Sequence, residues 1–435
     1  MGARALLLLA LLLAGGRGLA ALPGVHEWRA VPEALGDAEL SLLFGEAARR
    51  ADVVALGETV HGSAGLLRLQ TRLIRHLVEQ QGMRLIVWET AVLRGRELAQ
   101  WLAGCAQGRT PPTAEPPLDV LYFPTAADRP LWRWACRFNA QHPHDPVVFA
   151  GMDVWDRPWE HHQRIRELGA RLGLAPALQA AVEKNCISAG VRDWAQADAA
   201  LHVLQQRARL RDDADLHACE ASLEAVLGAA EGIGRAAAGA DARREQAYEL
   251  ALSASTLQGW LGFHHHAGVD DLQGWNARDR AQGRNLMLLM GRHAAPRAVL
   301  AAHTSHTSHN RSPADWWGSG DLKSGVYFFS RLSGRRVFNL ALTAFRAAGA
   351  QGEWLEPHAA DSMDKALHDA GHRFAWFAAD AAFLSRHPRW WLQNGNAAGM
   401  ENGIHIVPRD HFDAYVYIDH SPLEGLLPAR PVWQP

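Results

Sequence analysis

After its N-terminal segment the chain has no apolar stretch approaching the about 20 residues that a membrane helix needs. It has no excess of charge either: 44 Lys and Arg stand against 46 Asp and Glu, a formal net charge of −2. That balance gives no electrostatic footprint for nucleic acid or an anionic membrane surface. No G-x-S-x-G is present, which excludes the usual nucleophile elbow of an α/β serine hydrolase. No H-E-x-x-H is present, which excludes the helical zinc-protease site. The four cysteines, Cys105, Cys136, Cys186 and Cys219, match no zinc spacing. Tyrosine is scarce, 5 against 17 Trp. The pairs Trp316–Trp317 and Trp390–Trp391 fit either a pocket lining or a core.

What is there begins with an export signal. Arg4, the apolar run Ala5–Ala14 and the small residues up to Ala21 predict a signal peptide over 1–21, hence a periplasmic or secreted protein with no stable membrane insertion. In that setting an even cysteine count permits two local disulfides, Cys105–Cys136 and Cys186–Cys219; free buried thiols are the alternative.

The stretch Val53–Gly62 organises the rest. Val53–Leu56 reads as a buried strand, and Gly57 as its end. Glu58 and His61 follow at once, Gly62 permits a turn, and Ser63 stands where a helix N-cap belongs. Leu66, Leu69, Leu73, Ile74, Leu77 and Val78 give that helix an apolar face, and Gly82 stops it. Three further apolar runs end in ionisable residues: Leu85–Trp88 before Glu89, Val147–Met152 before Asp153, and Val299–Ala302 before His303. In a parallel sheet such termini share one edge, where open α/β sheets bind their ligands. The repetition predicts that Glu58, His61, Glu89, Asp153 and His303 converge on one cleft.

Residues 158–262, rich in Ala, Leu, Arg and Glu, read as an inserted helical segment, with His264–His266 in a solvated loop beyond it. Arg278, Asp279 and Arg280 open the next helix. Strands over 337–342, 374–379, 404–407 and 415–418 are expected to extend the same sheet, with a short helix at 364–370. The fold class is α/β, a mostly parallel central sheet flanked by helices with an inserted all-helical subdomain, in one domain over 22–435.

Three chemistries fit these residues. Ser63 as a nucleophile is the weakest, because the position suits a cap. Glu58, His61, Glu89, His303 and His306 have the donor types of a divalent-metal site, which allows a metal-dependent hydrolase of ester, amide or peptide bonds. The third is general-base hydrolysis: a neutral imidazole deprotonates water, a carboxylate fixes its tautomer, and an Arg or second His meets the oxyanion. A ligand-binding protein without catalysis is the reading from another class.

The order of the motifs resembles the erythromycin esterase family. Gly57-Glu-Thr-Val-His-Gly62 is similar to its G-E-x-x-H-G, and Arg72-Leu-Ile-Arg-His-Leu77 to the helix that follows. Glu89, Gly151-Met-Asp153, Arg278 to Asn285, His303-Thr-Ser-His306, Asp361 to His368 and Phe412 to Asp419 fall in family order. The resemblance implies hydrolysis of a small-molecule ester or macrolide lactone without a required metal or other cofactor. It implies His61 as general base, with Glu58, Glu89, Arg278, His303 and His306 in the catalytic cleft. Asp153, Gln70 and Arg72 are assigned to substrate binding. Gln70 stands where the family carries an Arg, and Thr304 where it carries an Asn.

Overall fold

The computed structural model describes residues 22–31, 34–187, 213–237, 242–266, 270–313, 315–316, 322–350, 352, 354–357, 359–393 and 403–428. The expected signal peptide, residues 1–21, and Trp317 lie outside them. In chain order the main sheet contains β1 (Val25–Glu27), β2 (Val53–Glu58), β3 (Leu85–Ala91), β4 (Val148–Asp153), β5 (Ala298–His303), β7 (Val337–Ala348), β8 (Trp354–Leu355), β9 (Phe374–Ala378) and β12 (Ala414–Ser421). A second, three-stranded sheet holds β6 (Asp315–Trp316), β10 (Trp390–Gln393) and β11 (Gly403–Ile406). Helices α1 (Asp37–Arg50), α2 (Ala64–Gln81), α3 (Arg96–Ala106) and α4 (Arg129–Gln141) precede β4. Between β4 and β5 come α5 (Pro158–Leu172), α6 (Pro176–Ile187), α7 (Asp213–Ala236), α8 (Ala242–His266) and α9 (Asp271–Arg292). Among the described residues, four shorter helices follow β5: α10 (Thr304–Thr307), α11 (Gly325–Ser333), α12 (Met363–Asp369) and α13 (Pro408–His411).

The sheet order is β1-β9-β12-β7-β2-β5-β3-β4, parallel from β12 to β4, with antiparallel β9, β1 and β8 at its margins. Both faces are covered, so the central strands are apolar along their length rather than alternating. Val53, Ala55, Leu85 and Leu300 pack with Leu250 and Leu257 of α8 on one face. Val54, Leu56, Ile86 and Val299 pack with Leu69 and Leu73 of α2 on the other. The long helical segment therefore shares one core with the sheet. β5, late in sequence, is inserted between β2 and β3. The chain leaves β2 toward β3 on one side and leaves β5 for β7 on the other, and the crevice at that switch point is where such sheets hold ligands.

Several sequence expectations are corrected. The C-terminal strands do not all join one sheet: β11 pairs with β10 and β6 instead. Trp390 is a core residue whose indole N–H donates to Leu384 O at 2.7 Å. The triple histidine is the last turn of α8, not a solvated loop; His264 is buried against Trp260, and burial lowers its pKa to about 4. Ser63 occupies the N-cap position, yet its hydroxyl meets Ser421 Oγ at 2.6 Å, and the Leu66 N–H donates to Ser421 Oγ at 3.2 Å. The capping oxygen thus comes from β12, far away in sequence.

Gly57 does not end its strand; β2 continues through Glu58. Its missing side chain serves a close approach: a Cβ there would stand 2.3 Å from Thr307 Oγ1 and 3.2 Å from Thr304 Cα. Only glycine lets α10 lie across the strand end, with His303 beside Glu58 and His306 against Glu89. Gly57→Ala is expected to force α10 outward and cost about 1–3 kcal/mol, measured by urea denaturation; an unchanged midpoint would contradict this packing.

Both local disulfides are formed. Cys105 of α3 joins Cys136 of α4 with Cα atoms 5.3 Å apart, and Cys186 of α6 joins Cys219 of α7 with Cα atoms 4.8 Å apart. Each closes a loop of about thirty residues, with sequence separations of 31 and 33. Cys136→Ser should lower stability by about 3–4 kcal/mol through lost restriction of the unfolded chain. Non-reducing peptide mapping should recover these two linkages and no others.

Candidate active site

The carboxyl ends of β2, β5, β3 and β4 bring the sequence-predicted residues together. Glu58 of β2 and His303 of β5 are register partners in adjacent parallel strands. In β3 the register with β4 shifts between Trp88 and Ala91, a bulge that includes Glu89. Such an irregularity re-aims side chains at a sheet rim, and Glu89 here meets β5: its Oε2 accepts the His303 N–H at 2.8 Å. Arg278 reaches the same place from α9.

Two environments result. Behind Glu89 lies a buried ion cluster. Arg278 donates Nε to Asp153 Oδ1 at 2.9 Å and Nη2 to Asp153 Oδ2 at 2.5 Å, a bidentate pair, and Nη2 also donates to Glu89 Oε1 at 3.1 Å. Trp155 and Trp275 face the guanidinium at 5.2 and 5.3 Å. One turn on along α9, Gln282 donates to Asp153 Oδ1, and after another turn Asn285 donates to Met152 O, both at 2.9 Å. The spacing 278, 282, 285 puts all three on the helix face that grips the end of β4. His306 sits between two carboxylates: Nδ1 is 2.7 Å from Asp279 Oδ1, and Nε2 is 3.1 Å from Glu89 Oε1. Burial works against its charge, but Asp279 and Glu89 outweigh burial and raise it to about 10. It is therefore an imidazolium with both N–H groups donated, and Arg278 Nη1, 3.1 Å from Nε2, is a close neighbour of like charge. Glu89 is held well below its ordinary value: burial opposes ionisation, and His306, His61 and Arg278 overcome it.

The front of the site is the pocket itself, lined by Glu58, His61, Gln70, Trp88, Glu89, Tyr122, Phe123 and Asp128 among others. His61 Nδ1 lies 2.9 Å from Glu58 Oε1, and its ring stacks on Phe123 at 4.8 Å. With Glu58 as acceptor the Nδ1 carries the proton and Nε2 keeps its lone pair. His303 stands beside it, ring centroids 4.6 Å apart. The His303 Nδ1 accepts from Ser305 N at 3.3 Å and lies 2.8 Å from Ser305 Oγ, so the ring proton is on Nε2, donated to Thr59 O at 3.2 Å. Burial, then His61, hold His303 well below its ordinary value, as a neutral ring with both nitrogens engaged.

The assigned residues divide accordingly. Glu58, His61, Glu89 and Gln70 line the pocket. Gln70 donates Nε2 to Leu56 O at 3.3 Å and leaves Oε1 without a partner among the described residues. Asp153, Arg278 and His306 belong to the cluster behind Glu89, and His303 holds the turn that carries His61. Arg72, expected at the substrate, points elsewhere: Nε donates to Leu35 O at 2.9 Å and Nη2 to Asp37 Oδ1 at 2.7 Å. Sequence reading missed Tyr122, whose buried hydroxyl has no partner among the described residues, and Asp128. Asp128 carried one legible signal, the capping pattern Thr125-x-x-Asp128.

As a metal site the arrangement is poor in donors. Ligation through histidine needs an imidazole lone pair; His306 has none, and the nitrogens of His303 are engaged. Among the described residues no three His, Cys, Asp or Glu side chains form a metal-binding group.

The His306 ion pairs make a pH test. Their folded value, about 10, lies above the ordinary 6.5, so they contribute fully below about pH 6.5 and are lost as pH rises through about 10. The stability advantage of the wild type over His306→Gln should shrink steadily across that window in urea melts. A constant difference would mean that His306 is neutral in the fold.

Comparison with known proteins places this geometry. The erythromycin esterase family profile matches residues 78–421, a span that takes in Glu89, Asp153, Arg278, His303 and His306 and begins after Glu58 and His61. No curated protein matches the sequence. Among solved structures, a Bacillus cereus protein superimposes with a TM-score of 0.68 at 14% identity, covering 93% of this chain and 97% of its own. A succinoglycan biosynthesis protein gives 0.67 at 14% identity, over 92% and 96%. A histidine-to-asparagine variant of the erythromycin esterase EreC, in its open conformation, gives 0.61 at 14% identity, over 91% and 96%. At that identity these structures bear on the fold alone. The family match, by contrast, spans most of the sequence and contains the whole ion cluster, and this chain belongs to the erythromycin esterase family.

Proposed function

We propose that this protein hydrolyses a carboxylic ester, with macrocyclic lactones in the candidate class, by a water that His61 activates. The observation that carries the reading is the His61–Glu58 pair at 2.9 Å, in a turn that lines the pocket. Family membership supports a hydrolase; the substrate and the role of each residue are the proposal.

The residues suggest the following division of work. The His61 Nε2 lone pair takes a proton from water as the water oxygen attacks the acyl carbon. Glu58 holds the tautomer and balances the imidazolium that forms, and the fixed charge of Glu89 adds to that balance. Arg278 and His306 keep Glu89 ionised, and Asp153 and Asp279 keep those two cations in place. His303 is a positioning residue, holding Thr59 O two residues before His61. The unpartnered Tyr122 hydroxyl is the donor best suited to a developing oxyanion, because Arg278 is already committed to carboxylates. Gln70 Oε1 is the free acceptor offered to substrate.

Export is part of the same reading. Two disulfides suit an oxidising compartment, in line with the basic-apolar-small N-terminal pattern. N-terminal sequencing of the periplasmic or secreted product should start near Leu22; an intact Met1 on a cytoplasmic product would overturn export.

Turnover of a reactive ester tests the mechanism. His61→Ala should lose about 10²–10⁴-fold in kcat with an unchanged melting temperature. Ser63→Ala should retain near wild-type kcat, since its hydroxyl is turned to Ser421. Activity should also survive exhaustive chelation. Near-normal turnover by His61→Ala, or chelator loss restored by zinc or manganese, would remove the general-base reading.

A further inference from the structure

We propose that Asp128 is the general acid of this site, giving its proton to the departing alcohol oxygen when an alkyl ester or lactone bond breaks. The proposal rests on the hydrolase reading above and adds a residue and a step to it.

The geometry comes first. Asp128 ends the turn Ala126–Asp128 that leads into α4, is 3% exposed, and lines the same pocket as His61 and Glu58. Its two oxygens are treated differently. Oδ2 accepts from Thr125 N at 2.8 Å and from Thr125 Oγ1 at 3.1 Å. Oδ1 makes no hydrogen bond among the described residues. A carboxylic acid whose Oδ2 is occupied as an acceptor keeps its proton on Oδ1, the atom left to the pocket.

The charges around it favour the protonated form. Glu58 of β2 and Glu89 of β3 line the same pocket, with His61 from the turn between β2 and α2. The nearby cations are spent: Arg68 of α2 pairs with Glu424 of the C-terminal segment, and Arg129 and Arg133 of α4 pair with Glu115. Burial first, with Glu58 adding to it, raises the Asp128 carboxyl to about 7, although both Thr125 donors oppose this. Asp128 is thus kept as a proton holder in the pocket to which His61 presents its ring.

The chemistry needs the second group. Water loses one proton to His61 Nε2 as its oxygen bonds to the acyl carbon. When the tetrahedral intermediate collapses, the bond from the acyl carbon to the alkoxy oxygen breaks, its electron pair goes to that oxygen, and the Asp128 Oδ1 proton follows. The products are a carboxylic acid and an alcohol, and the His61 proton returns to Asp128 through solvent. An aryloxide departs without such help; an alkoxide does not.

The test is a leaving-group split. Purified full-length protein is assayed on p-nitrophenyl and ethyl esters of one acid, as wild type, Asp128→Asn and His61→Ala, with thermal melts. Asp128→Asn keeps an oxygen for Thr125 and loses only the acid. It should lose about 10²–10⁴-fold in kcat on the ethyl ester and far less on the aryl ester, whereas His61→Ala falls on both. Equal losses on the two esters, or none, overturn the acid role. Should the variant not fold, rates of the wild type on alkyl and aryl esters of graded leaving-group acidity decide: a shallow dependence supports Asp128, a steep one overturns it. If the wild type turns over no ester, the hydrolase reading itself fails; if it does so through His61 without the split, only the acid assignment fails.

Discussion

The site depends on one buried guanidinium. Arg278 enters from α9 and bonds the end of β4 through Asp153 and the bulge of β3 through Glu89. A charge removed from water is costly unless paired in good geometry, and removing one partner leaves the others exposed to that full cost. The carboxylates cannot spread and the cations cannot leave, so two strand ends and one helix are tied to a single arrangement. His306 extends the tie to the fourth element, β5 and its short helix α10, by pairing with Asp279 of α9 and with Glu89.

This cluster divides the site into a fixed back and a working front. At the back every charge has a counter-charge: Arg278 and His306 lie among Glu89, Asp153 and Asp279. At the front the groups are under-committed. Among the described residues His61 Nε2, Glu58 Oε2, Gln70 Oε1 and the Tyr122 hydroxyl have no hydrogen-bond partner, and Asp128 spends only one oxygen. Buried polar atoms without partners are rare in stable folds. Glu58 Oε2, Gln70 Oε1 and the Tyr122 hydroxyl belong to residues that line one pocket, where a polar ligand can meet them. Glu89 belongs to both halves and carries the electrostatic influence of the cluster to His61.

Small residues decide whether the two halves meet. Gly57 permits α10 to cross β2, and Gly151 lets β4 pass the β3 bulge, where a Cβ would stand 2.4 Å from Ala91 O. The disulfides act farther out, tying α3 to α4 and α6 to α7. They restrain the helical layers on the two faces of the sheet and leave the strand ends to be fixed by charge.

The sequence alone determined the α/β class, the strands at β2 to β5 and the convergence of Glu58, His61, Glu89, Asp153 and His303. The reason is periodicity: a buried strand is a short apolar run, and an ionisable residue at its end is visible without knowing its neighbours. Which of these residues work and which support was not legible, because that follows from strand order and register. Placing β5 between β2 and β3 makes His303 a neighbour of Glu58 and commits both of its nitrogens. The direction of α2 turns Gln70 to the pocket and Arg72 to Asp37, two positions apart on a helix and so on different faces. Asp128 and Tyr122 arrive on a connecting turn with no periodicity to announce them. The capping oxygen of α2 comes from Ser421, a contact that sequence-local reasoning assigned to Ser63. Local hydrophobic pattern fixed the elements; only tertiary packing decided which polar atoms were satisfied and which were left for chemistry.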